Sequence, residues 1–187
     1  MKRILLSSLF LSLSICSLFY ADDSGTTVCP ADLKYQTINM RDMTFEYSQY
    51  EDHICAVLSV DMSKNSDWQE GGSGWFAAGF GAETMKGSNM FIFVPEKLQQ
   101  GVKYDVYANI GGVYGPTKPL DTKPEAGQIK LLSSSLGKVN FAIYPQKISG
   151  LSNSGKVDMI FSHSAAGVYK FAPGHVAAYD GKAMDLK

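Results

Sequence analysis

The chain has 187 residues, 45% hydrophobic and 19% charged, with a formal net charge of −1. Its cations are scattered Lys, with Arg41 the one Arg beyond Arg3. That leaves no basic field and excludes a nucleic-acid or anionic-membrane partner.

The N-terminus opens on Met1-Lys2-Arg3 and runs into an apolar stretch from Ile4 to Phe19. A basic start followed by such a stretch predicts a secretory signal peptide over residues 1–21, with Ala21 before the cut. The stretch is shorter than the ~20 apolar residues of a membrane span, and no later segment is long enough to be one. Cys16 follows Ile15 where a lipoprotein signal wants a small residue, which disfavours lipidation. Residues 22–187 are then one domain, in which 15 basic residues face 18 acidic ones, a net charge of about −3. Roughly 165 residues are enough for a proper core.

Two cysteines lie beyond the leader, Cys29 and Cys55. An even pair in an exported protein reads as one disulfide, with two buried thiols as the alternative. The disulfide is the favoured reading, because it tethers a loose N-terminal arm beside Pro30. Closing that loop contributes about 3–4 kcal/mol on the chain-entropy model.

The elements that follow are short apolar runs between Gly, Pro, Asn and Ser clusters, the pattern of an all-β chain. Phe45 and Tyr47 alternate with polar neighbours. Ile54, Ala56, Leu58, Val60 and Met62 line one strand face at period two. Residues 64–74 read as a polar loop. Trp75 to Phe80 and Met90 to Val94 are continuous apolar runs, buried on both faces. Tyr104, Val106, Ala108 and Ile110 alternate again. Residues 111–127 read as a long surface loop rich in Pro and Gly. Val139, Phe141 and Ile143 form a strand that Pro145 ends. Val157, Met159 and Phe161 form another, and the chain closes on a strand from Ala183 to Leu186. About eight to ten such strands predict a β-sandwich with its turns gathered at two ends.

The segment from Gly74 to Val94 is the most distinctive. It reads Gly-Trp-Phe-Ala-Ala-Gly-Phe-Gly, then a loop carrying Met85, Lys86 and Asn89, then the apolar run. Gly79 and Gly81 have no Cβ, so the expectation is open space against which a large flat ligand can lie. This pattern resembles the DOMON family, and within it the haem-b cytochrome domain of cellobiose dehydrogenase. The matching residues are Gly74, Trp75, Gly79, Gly81, Met85, Asn89 and Met90 to Val94. His175, ahead of Asp185-Leu186, fits the family's second ligand, so the resemblance covers nearly the whole mature chain. The segments on either side of His175 depart from the haem-binding members more than the Met loop does.

The resemblance implies an immunoglobulin-like β-sandwich of the DOMON type that holds haem b between Met85 and His175. Met with His is a recognised axial pair for electron transfer, and the thioether raises the potential. It also implies a haem carried without covalent attachment, since no Cys-x-x-Cys-His motif is present. Any redox partner is then a separate protein. His163 is the rival histidine, and Met90 is a strand-core residue rather than a ligand. For the apolar walls of such a site the chain offers Trp75, Phe80, Phe91, Phe93, Tyr107 and Tyr114, with Phe91, Phe93 and Tyr107 on strands flanking the Met loop. Lys86 is placed to meet a haem propionate.

Three other readings compete. A haem-free sandwich of the same kind would bind a carbohydrate by stacking on Trp68, Trp75 or Tyr rings. Met40, Met43 and Met62 with His53 offer soft donors for copper, although His53 beside Asp52 reads as solvated and Met62 as strand core. An enzyme with its own nucleophile is the weakest reading, because no Gly-x-Ser-x-Gly elbow is present and Gly72-Ser73-Gly74 reads as a turn.

Overall fold

The computed structural model describes residues 28–61, 74–97, 102–112, 122–164 and 177–187. Among them are ten strands: β1 Gln36–Asn39, β2 Met43–Tyr50, β3 His53–Val60, β4 Phe76–Phe80, β5 Asn89–Lys97, β6 Val102–Ile110, β7 Ile129–Ser135, β8 Lys138–Ile143, β9 Gly155–His163 and β10 Ala177–Leu186. They form two five-stranded sheets, ordered β1-β2-β3-β8-β7 and β10-β9-β4-β5-β6. Every pairing is antiparallel. The chain is an all-β sandwich, as its alternating runs predict.

The core follows from that alternation. Phe45 and Tyr47 of β2, Ile54, Ala56 and Leu58 of β3, and Val139, Phe141 and Ile143 of β8 point inward from the first sheet. Phe76, Ala78 and Phe80 of β4, Phe91 and Phe93 of β5, and Val157, Met159 and Phe161 of β9 answer from the second. The layers interlock through aromatic pairs. Phe45 meets Phe161 at 5.3 Å between centroids, and Phe93 meets Phe141 at 4.9 Å. Tilted pairs of this kind add about 0.5–1.5 kcal/mol each beyond their buried area.

Polar staples hold the sheet edges together. The Asp185 N–H donates to Tyr47 Oη at 3.0 Å, which joins β10 to β2. The Gly137 N–H donates to Tyr104 Oη at 3.1 Å, which joins the β7–β8 turn to β6. Burial pushes the Tyr104 hydroxyl up to about 12, so it stays neutral there.

Cys29 and Cys55 are disulfide-bonded. β10 begins at Ala177, earlier than its closing apolar residues indicate, and carries an irregularity between Tyr179 and Lys182. β1 and β7 are strands that the sequence pattern does not announce. Both lie at sheet edges, where pairing with one neighbour sets the conformation. Pro145 ends β8 and opens a one-turn 3-10 helix, Pro145–Lys147. Among the described residues no helix is long and apolar enough to cross a membrane.

Candidate functional site

Side chains alternate across a strand, so the inward set fixes the outward one. On the β10-β9-β4-β5-β6 sheet the outward set is apolar at its centre. Ala77 pairs with Ile92 and Ser162, and Ile92 in turn with Tyr107. Trp75, Ala77, Ile92 and Val94 form a second buried cluster with Tyr107 packed against it, separate from the sandwich core. Ile92 is 1% exposed and Trp75 4%. This sheet therefore buries both of its faces, as the unbroken runs in β4 and β5 predict.

The loop carrying Met85 folds over one end of that outer face. The Gly87 N–H donates to Gly111 O at 2.7 Å, and the Gly111 N–H donates to Ser88 O at 2.9 Å. Ser88 Oγ and the Ser88 N–H both bond Met85 O, at 2.9 and 3.2 Å. On the far side, the Gly181 N–H donates to Glu83 O at 3.0 Å. Gly111 is essential to this docking, since a Cβ there would lie 1.7 Å from Met85 O. The sequence gives Gly111 no such role, because the contact joins segments distant along the chain. Met85 is half-buried and Lys86 exposed.

The space at Gly79 is not open. A Cβ there would meet Ile160 Cγ1 at 2.6 Å and Ser88 Oγ at 3.0 Å. The glycine admits the Ile160 side chain from the neighbouring strand, and it lets Ser88 close over the sheet. Gly81 has φ +87° and serves the turn after β4, with Asn89 and Leu151 side chains 3.6 Å from a notional Cβ.

The aromatic residues divide by strand parity. Trp75 and Tyr107 lie on the outer face beyond the core. Phe80, Phe91 and Phe93 face the sandwich interior and pack with Phe45 and Phe141. Of the expected site walls, Phe80, Phe91 and Phe93 thus lie on the opposite side of the sheet from Trp75 and Tyr107. Tyr114 and Trp68 lie outside the described residues, as does His175.

His163 is described, and its surroundings bear on ligation. It is fully buried at the end of β9. Nδ1 lies 2.9 Å from Ser164 O and Nε2 2.9 Å from Asp42 Oδ2. A carbonyl only accepts, so Nδ1 donates to Ser164 O, and Nε2 is hydrogen-bonded to the Asp42 carboxyl. Tyr179 Oη donates to the other Asp42 oxygen. Burial pushes the Asp42 carboxyl up, but the bonds from Tyr179 and His163 outweigh it and hold it below the usual range. Burial and the bond to Asp42 push Tyr179 up to about 12. Both ring nitrogens of His163 are therefore engaged by oxygen atoms of the protein. Its register opposite Phe76 also puts it on the interior side of the sheet, away from the Trp75 face.

Lys123 reaches the outer face at Tyr107. Its Nζ stands 4.0 Å from the Tyr107 ring centroid and 3.0 Å from Asp105 Oδ1. A cleft of about 220 Å³ lies nearby, bordered by Met90, Asn109 and Lys123. It is below the roughly 300–1,000 Å³ of ordinary ligand pockets.

The competing readings fare less well. Trp75 is buried and presents no exposed ring to a sugar. Met43 is 1% exposed in the sandwich core and Met40 packs against it. His53 lies on the opposite face of that sheet, so these donors do not converge. Met62 lies outside the described residues. His53 is itself buried at 5% exposure, not solvated.

No family model matches the chain, and no curated protein matches it. Among solved structures, the cytochrome domain of cellobiose dehydrogenase from Myriococcum thermophilum is similar to it. That likeness has a TM-score of 0.49 and 13% identity, covering 88% of this chain and 85% of the other.

Proposed function

We propose that the protein is a secreted or periplasmic haem-b-binding, cytochrome-like domain that carries single electrons, with Met85 and His175 as the axial pair. The observation that carries this reading is the second apolar layer on the β10-β9-β4-β5-β6 sheet, with the Met85 loop docked at its end. A sandwich needs one apolar face per sheet. A second one, with the backbone of a Met-bearing loop docked at its end, supports the reading of an apolar macrocycle with a soft axial donor.

The donor chemistry on the described side fits. Ala77 and Ile92 give a low apolar floor, Trp75 and Tyr107 give aromatic packing, and Gly111 fixes the backbone of Met85. When bound, haem supplies a reversible one-electron iron couple. The protein excludes water from the face, holds the Met loop in place, and offers Lys123 and Lys86 as cations near its rim. His163 is committed to Asp42, so His175, outside the described residues, is left as the second ligand. The disulfide and the leader-like residues 1–21 support an oxidising, exported setting.

The test is an absorption spectrum of the haem-loaded protein, oxidised and then reduced with dithionite. A sharp Soret band with resolved α and β bands on reduction is expected. Met85→Ala and His175→Ala should each abolish the six-coordinate low-spin spectrum, while His163→Ala should keep it whenever the variant folds. A flat visible spectrum after haem loading would end this reading.

A further inference from the structure

On the opposite side of the molecule, the outer face of the β1-β2-β3-β8-β7 sheet carries a cluster with different chemistry. His53 and Cys55 stand two residues apart on β3 and so share that face. The arm at Val28–Cys29 lies over them. One donor atom from each of Cys29, His53 and Cys55 lies within 4.8 Å of the others. Cys55 is fully buried. We propose that, once the Cys29–Cys55 disulfide is reduced, these three residues form a soft-cation site of the two-thiolate, one-imidazole type.

The histidine is already arranged as a ligand. Its Nδ1 lies 3.1 Å from Asp52 Oδ1. The second oxygen of Asp52 accepts from Gln146 Nε2 at 3.0 Å. A carboxylate on one ring nitrogen fixes the tautomer and raises the basicity of the other, the usual outer-shell support of a metal-bound histidine. The other nitrogen, Nε2, lies 2.7 Å from Val28 O, and Cys55 Sγ lies 3.7 Å from the same oxygen. Nε2 and the sulfur thus share a neighbour. The rings of Tyr50 and Tyr144, with centroids 5.6 and 5.1 Å away, flank the imidazole. A cleft of about 360 Å³ is bordered by Asp52 and His53.

The balance is simple. An external dithiol supplies two electrons and two protons, breaks the Sγ–Sγ bond and is itself oxidised to a disulfide. A cation then displaces the two thiol protons to solvent and binds both thiolates. The hydrogen that Nε2 donates to Val28 O leaves to solvent as a third proton, Nδ1 holds its hydrogen toward Asp52, and the freed Nε2 lone pair goes to the cation in place of the bond to Val28 O. Metal–sulfur distances near 2.3 Å and metal–nitrogen distances near 2.0 Å place tetrahedral donors roughly 3.5 Å apart. The sulfurs must therefore separate. Cys55 is held within β3, while Cys29 sits in the non-strand arm and can make that shift. Such a donor set favours Zn²⁺ or Cu⁺ over hard cations.

The test titrates oxidised and dithiol-reduced protein with Co²⁺, as a spectroscopic stand-in for Zn²⁺, and with Cu⁺ against a competing chelator. Reduced protein should take up one equivalent, with thiolate-to-cobalt charge-transfer bands and intense tetrahedral d–d bands. Oxidised protein should take up none. Asp52→Asn should weaken binding about 10–100-fold, and His53→Ala should weaken it more. Binding by Cu⁺ alone or by Co²⁺ alone would assign the site to that cation. Equal binding by His53→Ala, or none by the reduced protein, would overturn the proposal. Far-ultraviolet circular dichroism follows the fold: sheet signal lost on reduction and regained with metal supports the site, and loss without recovery overturns it.

Discussion

The two sheets of this sandwich have the same strand number and opposite outer faces. On the β1-β2-β3-β8-β7 sheet, Thr44, Glu46, Ser48, Ser59 and Asn140 point outward and stay partly exposed. On the other sheet, Trp75, Ala77, Ile92 and Val94 point outward and are buried. Apart from the patch at His53, Cys55 and Ala142, which is buried near the Val28–Cys29 arm, the first face is the ordinary solvated side of an antiparallel sheet. The second goes beyond what the sandwich requires, and the Met85 loop is docked beside it. This asymmetry between sheets of equal size is what the proposed function rests on, more than on any single residue.

The sharpest way to break the contrast is a matched pair of truncations. Ile92→Ala on the apolar face should destabilise the protein by about 2–5 kcal/mol, as for other buried Ile. Glu46→Ala on the polar face should stay within about 0.5 kcal/mol. Urea unfolding midpoints at constant slope give both numbers. Equal losses would mean that the two faces do not differ in energetic weight.

Much of this arrangement is legible in the sequence, though unevenly. The unbroken runs Trp75–Phe80 and Met90–Val94 announce a sheet with two buried faces, and the pairing of Cys29 with Cys55 follows from their number. Which aromatic residue serves which face is not legible. Phe80, Phe91 and Phe93 sit in the same runs as Trp75 and Ile92, and only the position of the other sheet decides parity. β1 and β7 lack alternation, and Ser133 to Ser135 disguise a strand that edge pairing creates. His53 beside Asp52 looks solvated because its burial comes from the Val28–Cys29 arm, 25 residues away along the chain.

A second, smaller effect concerns the clamp between the faces. Asp42 lies in the β1–β2 turn of the first sheet and binds His163 and Tyr179 of the second. Asp42→Ala removes the acceptor from both and should cost about 1–3 kcal/mol at neutral pH. The pH dependence has a definite sign. The folded carboxyl is held below its ordinary value, so its contribution is complete above the unfolded Asp range, near 3.9. It is lost as pH falls through the depressed value. The gap between wild type and Asp42→Ala in urea unfolding should therefore be constant near neutrality and close in acid. A gap that widens in acid would mean that Asp42 is not bound as a carboxylate.

A modest expected change in stability falls at Gly111, where the proposed function predicts a large spectral consequence. Gly111→Ala places a methyl group against Met85 O, so either the loop or the end of β6 must yield. The loop is the softer partner, because it is held by a few bonds through Gly87, Ser88 and Gly181 rather than by a ladder. Overpacking at such a rim should cost about 1–3 kcal/mol, and the low end of that range is expected because Met85 can swing outward. The same movement displaces the backbone that carries the Met85 side chain. Gly111→Ala should therefore keep the sheet circular dichroism and a cooperative unfolding transition, yet shift haem-loaded protein from a six-coordinate to a five-coordinate spectrum. An unchanged spectrum with a displaced loop would separate Met85 from the iron while leaving the apolar face intact.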